Sequence, residues 1–349
     1  MKRQFYIGSY ARKEEEGIYS ARFDEETGQM DLEEGTIGIE NPSFLTLDRE
    51  GTTLLAVSEV GGSEHGSVIS YSRNPERGRL EAVTELSTLG GSPCHLIVDQ
   101  QQRFVITTNY MGGNVCSFKL GEDSVLAGLA DHVTHTGRGP RDDRQEAAHP
   151  HSAIVDRANR FVLVADLGTD KLVHYRLEGE TGRLIAHHET KTAPGAGPRH
   201  FAFHPDKELL YVVNELDCTV SVYNYDSESS GLTLLQVIST LPESYTGEST
   251  CADIHLTSDG RYLYASNRGH DSLAVYQVLQ DGQLAVVEYA SSGGRTPRNF
   301  AITADNRYVL IANQDSNNIV SCRIDPESGR LQATGHEIQV KAPVCICLV

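Results

Sequence analysis

Histidine, arginine and glutamate recur at matching places in a set of short, similar segments. His95 stands in GSPCHLIVD, His151 in HPHSAIVD, Arg199 and His200 in GPRHFAFHP, and Arg298 and Asn299 in TPRNFAI. A second set ends apolar runs: Glu59 in AVSE, Glu215 in VVNE, Arg268 in YASNR and Gln314 in IANQ. Imidazole changes charge near neutrality and moves protons. A held carboxylate serves as a base. Guanidinium forks fit planar oxyanions. Together these types suit a concave site for a small anionic ligand. Each has a plainer reading. A histidine at a strand start caps loop backbone, and Arg199 with Glu215 makes a local salt bridge. The odds rise because the set converges from several segments. His149-Pro-His151 has the spacing of a metal pair, yet Arg199 and Arg298 oppose a bound cation. Glu59 and Glu215 keep a cation open, but the expectation is no metal and no organic cofactor.

The elements that position these residues are repeats. Six copies begin near residues 41, 91, 148, 196, 250 and 295. Each opens with an alternating strand and an Asp-rich or Gly-rich turn, followed by an apolar run such as RFVLVADL or RYVLIANQ. A third strand follows, and a Gly-x-Leu turn leads to a fourth. The turns fall at Gly78–Leu80, Gly182–Leu184, Gly231–Leu232, Gly282–Leu284 and Gly329–Leu331. Residues 5–40 read as the second, third and fourth strands of one more copy, and APVCICLV at the C-terminus reads as its missing first strand. This pattern predicts an all-β, seven-bladed β-propeller, one domain over 1–349, with four antiparallel strands per blade. The last blade is closed by residues 5–40 and 341–349, which removes two free sheet edges. Asp99, Asp156, Asp206, Asp259 and Asp305 are read as turn formers.

Aligning the copies gives columns. The residue after the x-Pro start is Ser43, Cys94, His151, Arg199, Asp253, Arg298 or Val344. The next is Phe44, His95, Ser152, His200, Ile254, Asn299 or Cys345. The residue ending the second strand is Tyr10, Glu59, Tyr110, Leu167, Glu215, Arg268 or Gln314. An antiparallel pair places a first strand's start beside a second strand's end, so these columns share one end of the blades.

The net charge of −18 argues against nucleic acid and anionic membranes as partners. No run approaches the 18 apolar residues of a membrane span, and MKRQFYIGSYARKEEEG has no apolar signal-peptide core. The seven cysteines include no C-x-x-C pair, so they read as buried small hydrophobes rather than zinc ligands or a disulfide scaffold. The expected compartment is the cytoplasm.

HPHS at 149–152, GPRHFAFHP at 197–205, NEL at 214–216, ASNRGHDS at 265–272 and PRNFAI at 297–302 resemble the lactonase family of seven-bladed propellers. That family includes propeller-type 6-phosphogluconolactonases and carboxy-cis,cis-muconate lactonizing enzymes. The resemblance spans the chain. It implies a catalytic set of His151, Arg199, Glu215 and Arg268 and a small anionic lactone as substrate, without deciding between a phosphosugar lactone and a muconolactone; the leading expectation is hydrolysis of 6-phospho-D-glucono-1,5-lactone. Glu215 or His151 would be the base, with the two arginines stabilising the oxyanion. His95, His200 and Arg298 would hold the phosphate, with Asn299, Glu59 and Gln314 also binding substrate. The alternatives are a carboxymuconate-type cycloisomerase, a metal-dependent sugar lactonase, and a non-catalytic interaction propeller. The charged loop RGPRDDRQE at 138–146 precedes the HPH strand and is expected to flank the site.

Overall fold

A computed structural model describes residues 2–61, 65–74, 79–121 and 123–349. The chain divides into two compact units. One comprises the N-terminal segment to Ser9, Ala21–Glu33 and Arg199–Leu348, and the other comprises Tyr10–Ser20, Glu34–Pro198 and Val349.

The described residues form seven four-stranded antiparallel sheets. The architecture is a seven-bladed β-propeller. Six sheets run in chain order from an inner to an outer strand, as in Pro297–Ile302, Tyr308–Asn313, Asn318–Ile324 and Leu331–Gln339. The seventh is built from both ends of the chain: Pro343–Leu348 pairs with Lys2–Ser9, then come Ile18–Asp24 and Met30–Thr36. Phe5 pairs with Leu348, Ile7 with Ile346 and Gly8 with Cys345. The closure expected of APVCICLV and FYIGSY is therefore present.

Second strands are apolar almost throughout because both faces pack against side chains of adjacent sheets. Leu209–Asn214 and Tyr308–Asn313 are buried at every residue. In the first unit, Tyr211, Val213 and Val220 pack with Leu263, Ala274 and Tyr276 of the next sheet. In the second, Leu55 and Val57 pack with Val105, Cys116 and Phe118. Six of the seven cysteines are buried within these layers.

The Gly-x-Leu turns have a steric cause. Gly329 has φ +72°, and an added Cβ would sit 2.4 Å from the Tyr262 ring of the preceding sheet. Gly282 has φ +88° and meets Leu209 in the same way. One expected turn differs, and another is not tested. In the fourth copy Ser230, at φ +53°, takes the left-handed position, and Gly231 already begins the strand. Gly78 lies outside the described residues, so the Gly78–Leu80 turn is not placed.

The turn acids are placed as expected, with one exception. Asp99 Oδ1 accepts the N–H groups of Arg103 and Phe104 at 2.6 and 2.7 Å. Asp156 does the same for Arg160 and Phe161. Asp259 and Asp305 accept hydroxyl protons from Thr257 and Thr303. Asp206 does not take the acceptor role. His204 Nδ1 accepts the N–H groups of Asp206 and Lys207 at 3.1 and 3.0 Å. The HPD sequence moves the acceptor two residues upstream of the acid.

Candidate active site

Inner strands carry a device that repeats do not reveal in sequence. Pairing skips one residue near the start of four of them. Pro93 pairs with Asn109 and His95 with Thr108, so Cys94 is bulged out. His151, Arg298 and Val344 are skipped likewise. A β-bulge re-aims the skipped side chain without ending the sheet. Asn41, Ser92, Thr296 and Ala342, each just before its proline, have positive φ and turn the chain into the strand.

The strand Thr250–Leu256 corrects the column alignment. Cys251 pairs with Asn267 and Ile254 with Ala265, leaving two residues between them. Ala252 therefore holds the bulge position, and Asp253 holds the next one, level with His95 and Asn299. Placing Asp253 beside Arg199 in one column was off by one residue. CADIHL lacks the x-Pro that sets the frame elsewhere.

In the first unit, three predicted catalytic residues meet. Arg199 Nε donates to Glu215 Oε2 at 2.8 Å, and Arg268 Nη2 lies 3.1 Å from the same oxygen. Arg199 and Glu215 are almost fully buried. Arg199 Nη1 also donates to the Ala252 carbonyl, and Arg268 Nη2 to the Cys251 carbonyl at 2.8 Å. Burial, aided by the nearby Arg268, lowers the Arg199 pKa to about 10, against the pull of Glu215. It remains a cation at neutral pH. Arg298 is partly exposed and close enough to push Arg199 in the same direction. Arg268 Nε is buried with no hydrogen-bond partner. A donor left this way costs about 1–3 kcal/mol.

Beside this cluster a chain of hydrogen bonds links successive inner strands, with Asp253 at its centre. The Asp253 carboxylate accepts from His200 Nδ1 at 2.8 Å, His255 Nε2 at 2.9 Å and Asn299 Nδ2 at 2.6 Å. The N–H groups of Ile254 and Phe300 add two more donors. Burial alone would raise its pKa, but the two imidazoles hold it well below the usual carboxylate range. His200 places Nε2 at 3.3 Å from Arg199 Nη1, and Asn299 Oδ1 accepts the Ile346 N–H at 2.7 Å.

These contacts change the expected roles of two residues. His200 and Asn299 were expected to bind substrate, yet each spends both polar ends on the protein. They join inner strands and fix Arg199. Gln314 turns its amide to Asp315 at 3.2 Å.

His200 carries a testable pH dependence. Burial, with Arg199 beside it, lowers its pKa from 6.5 to about 4. Between those values the unfolded chain binds a proton that the folded chain does not. Its contribution is complete above pH 6.5 and is lost as the pH falls towards 4. Urea midpoints are expected to drop over that window, and to drop less steeply in His200→Gln. An identical slope in the variant would remove His200 from this account.

The second unit holds the other predicted residues. His151 is buried, with Nδ1 at 3.9 Å from Cys94 Sγ and its ring edge-on to Tyr110 at 5.7 Å. His95 packs on Phe44 at 4.3 Å, and its Nδ1 accepts the Ala153 N–H at 3.4 Å. It too joins neighbouring inner strands, which argues against its expected phosphate role. Glu59 accepts from the Tyr10 hydroxyl at 3.1 Å. His149 stacks on Tyr110 at 4.4 Å, and its nitrogens contact the Tyr110 carbonyl and Glu146. Among the described residues, no three His, Cys, Asp or Glu side chains converge as metal ligands. The 138–146 loop is pinned by buried Gln145, which donates to the Leu167 carbonyl and Asp170 at 2.8 and 2.7 Å. It brings Arg144 to 3.4 Å from the Tyr110 hydroxyl, and so flanks His151 through Tyr110.

Asp253, His255 and Tyr110 were not chosen from sequence. Asp253 and His255 share a strand face by their spacing of two, which was the available signal.

Residues 4–348 match the family described as "Lactonase, 7-bladed beta-propeller". A 6-phosphogluconolactonase of Bacillus subtilis (strain 168) is 36% identical over 98% of this chain and 97% of that protein. A 6-phosphogluconolactonase of Formosa agariphila is 31% identical, covering 96% of each chain. The solved structure of a periplasmic gluconolactonase from Pseudomonas aeruginosa superposes with a TM-score of 0.93 at 30% identity, covering 100% of this chain and 99% of that one. Repeats, closing sheet, bulged inner strands and these likenesses agree, and the chain belongs to the lactonase family of seven-bladed β-propellers.

Proposed function

We propose that this protein is a hydrolase that opens 6-phospho-D-glucono-1,5-lactone to 6-phosphogluconate. The observation that carries the reading is Glu215, buried and held between Arg199 and Arg268, in a chain whose full length matches proteins named for that activity. Ring opening needs a water deprotonated, a carbonyl oxygen stabilised as it gains charge, and a ring oxygen protonated as it leaves. The two guanidiniums supply the stabilisation. Glu215 spends one oxygen on both of them, which weakens it as a base and makes it their anchor. His151 is the other candidate for proton transfer that the family resemblance implies. The lactone is intrinsically reactive, so this modest set suffices. We place the reaction in the cytoplasm, a reading supported by seven free cysteines.

The test is hydrolysis of the phosphorylated lactone followed against its spontaneous rate. A rate no faster than the blank ends the proposal. A second reading, an unphosphorylated sugar lactone as substrate, is favoured by the gluconolactonase likeness. It predicts faster turnover of glucono-1,5-lactone than of its 6-phosphate.

A further inference from the structure

We propose that His255, positioned by the buried Asp253, is the subsite for the oxyanion at the far end of the substrate, the phosphate of a phosphorylated lactone. The inference rests on the function proposed above and names the part of the molecule that would read the phosphate.

Of the residues expected to hold a phosphate, Arg298 is a partly exposed cation near Arg199, whereas the two histidines and the neighbouring Asn299 are engaged within the protein. His200 uses one nitrogen on Asp253 and the other on Arg199. Asn299 uses its amide on Asp253 and its carbonyl on Ile346. His95 sits under Phe44 with Nδ1 on backbone. His255 differs in kind. Its side chain is 43% exposed, whereas Asp253 beneath it is 3% exposed. Its Nε2 rests on Asp253, and its ring stands edge-on to Phe300 at 4.9 Å. A buried carboxylate backing a partly exposed imidazole fixes the ring and favours its cationic form.

The charge of Asp253 is not shared evenly between its two imidazoles. His200 is buried beside the Arg199 cation, which disfavours its charged form, so His255 is the imidazole whose cationic form Asp253 favours. Burial opposes this, but Asp253 raises the His255 pKa. The equivalent places in neighbouring inner strands are Ala301, which pairs with Leu310 as His255 pairs with Tyr264, and Cys347, which pairs with Tyr6. Ala202 follows His200 by the same spacing of two. None of these offers a cation. A partly exposed imidazole backed by a buried carboxylate among small side chains, in a chain of net charge −18, is a selective place for one oxyanion.

The experiment compares wild type, His255→Gln and His255→Lys, with folding checked by melting midpoint. The primary readout is the ratio of kcat/KM for 6-phospho-D-glucono-1,5-lactone to that for glucono-1,5-lactone. Loss of one charged hydrogen bond is expected to lower that ratio about 10–100-fold in His255→Gln, with most of it regained in His255→Lys. Inorganic phosphate, titrated by calorimetry, is expected to bind wild type and to bind His255→Gln more weakly by a similar factor. A ratio unchanged in His255→Gln overturns the inference, as does a wild type with no preference for the phosphorylated lactone. If wild type hydrolyses neither lactone, the proposed function falls. The phosphate titration then decides: binding weakened in His255→Gln supports the subsite, and binding that is equal or absent overturns it.

Discussion

Glu215→Gln is expected to lower kcat for lactone hydrolysis by about 10²–10³-fold, the scale seen when an oxyanion donor is removed. The reason is charge. Glu215 is the anion shared by Arg199 Nε and Arg268 Nη2, and it is buried. An amide is isosteric but neutral, so it anchors neither guanidinium as an ion. The two arginines then repel each other and lose the alignment that faces a developing oxyanion. Breaking a buried pair by removing one partner also costs stability, about 3–5 kcal/mol. Urea denaturation and steady-state kinetics on the same preparation separate the two effects, since a folded variant at assay temperature still reports kcat. Turnover within a few-fold of wild type would remove the Glu215 cluster from the chemistry.

Deleting residues 342–349 is expected to abolish soluble folding altogether. The deletion strips the partner from Phe5, Tyr6, Ile7 and Gly8, of which Phe5, Tyr6 and Ile7 are fully buried. It also removes Ile346, whose N–H bonds Asn299. What remains is a long apolar edge, a template for aggregation. The loss should be topological rather than a matter of composition. Leu348 lies opposite Phe5, so a short turn from Val349 to Lys2 would make the hairpin that other sheets already have. A circular permutant joined there, with new ends in an exposed loop, is expected to fold and to melt near the wild-type midpoint. Soluble, cooperatively melting truncated protein would contradict the role given to the closing strand.

The blades were legible because their signals are local and repeated. Apolar runs such as RYVLIANQ, x-Pro starts and Gly-x-Leu turns each have a steric or burial cause that acts within one copy. Arg199, Glu215 and Arg268 were legible because strand pairing alone brings a first strand's start to a second strand's end. The bulges at Cys94, His151 and Arg298 were not. A bulge is a fact about two strands' register, and one sequence does not carry register. The same gap hid Asp253, which moved one column because CADIHL lacks the x-Pro that sets the frame elsewhere. It also hid the work of His200 and Asn299, whose partners sit about fifty residues away on the next sheet. Side-chain bonds between copies follow no period within a copy.

The hydrogen-bonded chain through Asp253 bears on how such a protein can evolve. Repeat proteins are often imagined as modules that duplicate, swap or drop out. Here the copies differ at the inner position that joins each to the next: His200 meets Asp253, Asp253 meets Asn299, and Asn299 meets Ile346. The two joints through Asp253 accept only their own neighbours, because side-chain donor must face side-chain acceptor, whereas the third uses a backbone N–H. A duplicated copy of Thr250–Ser291 would set a second Asp253 carboxylate where Asn299 now donates its amide to the first, so acceptor would face acceptor. The order of the three copies joined through Asp253 is thereby constrained by side-chain identity, and new specificity there has to come from point substitution within a fixed succession of copies.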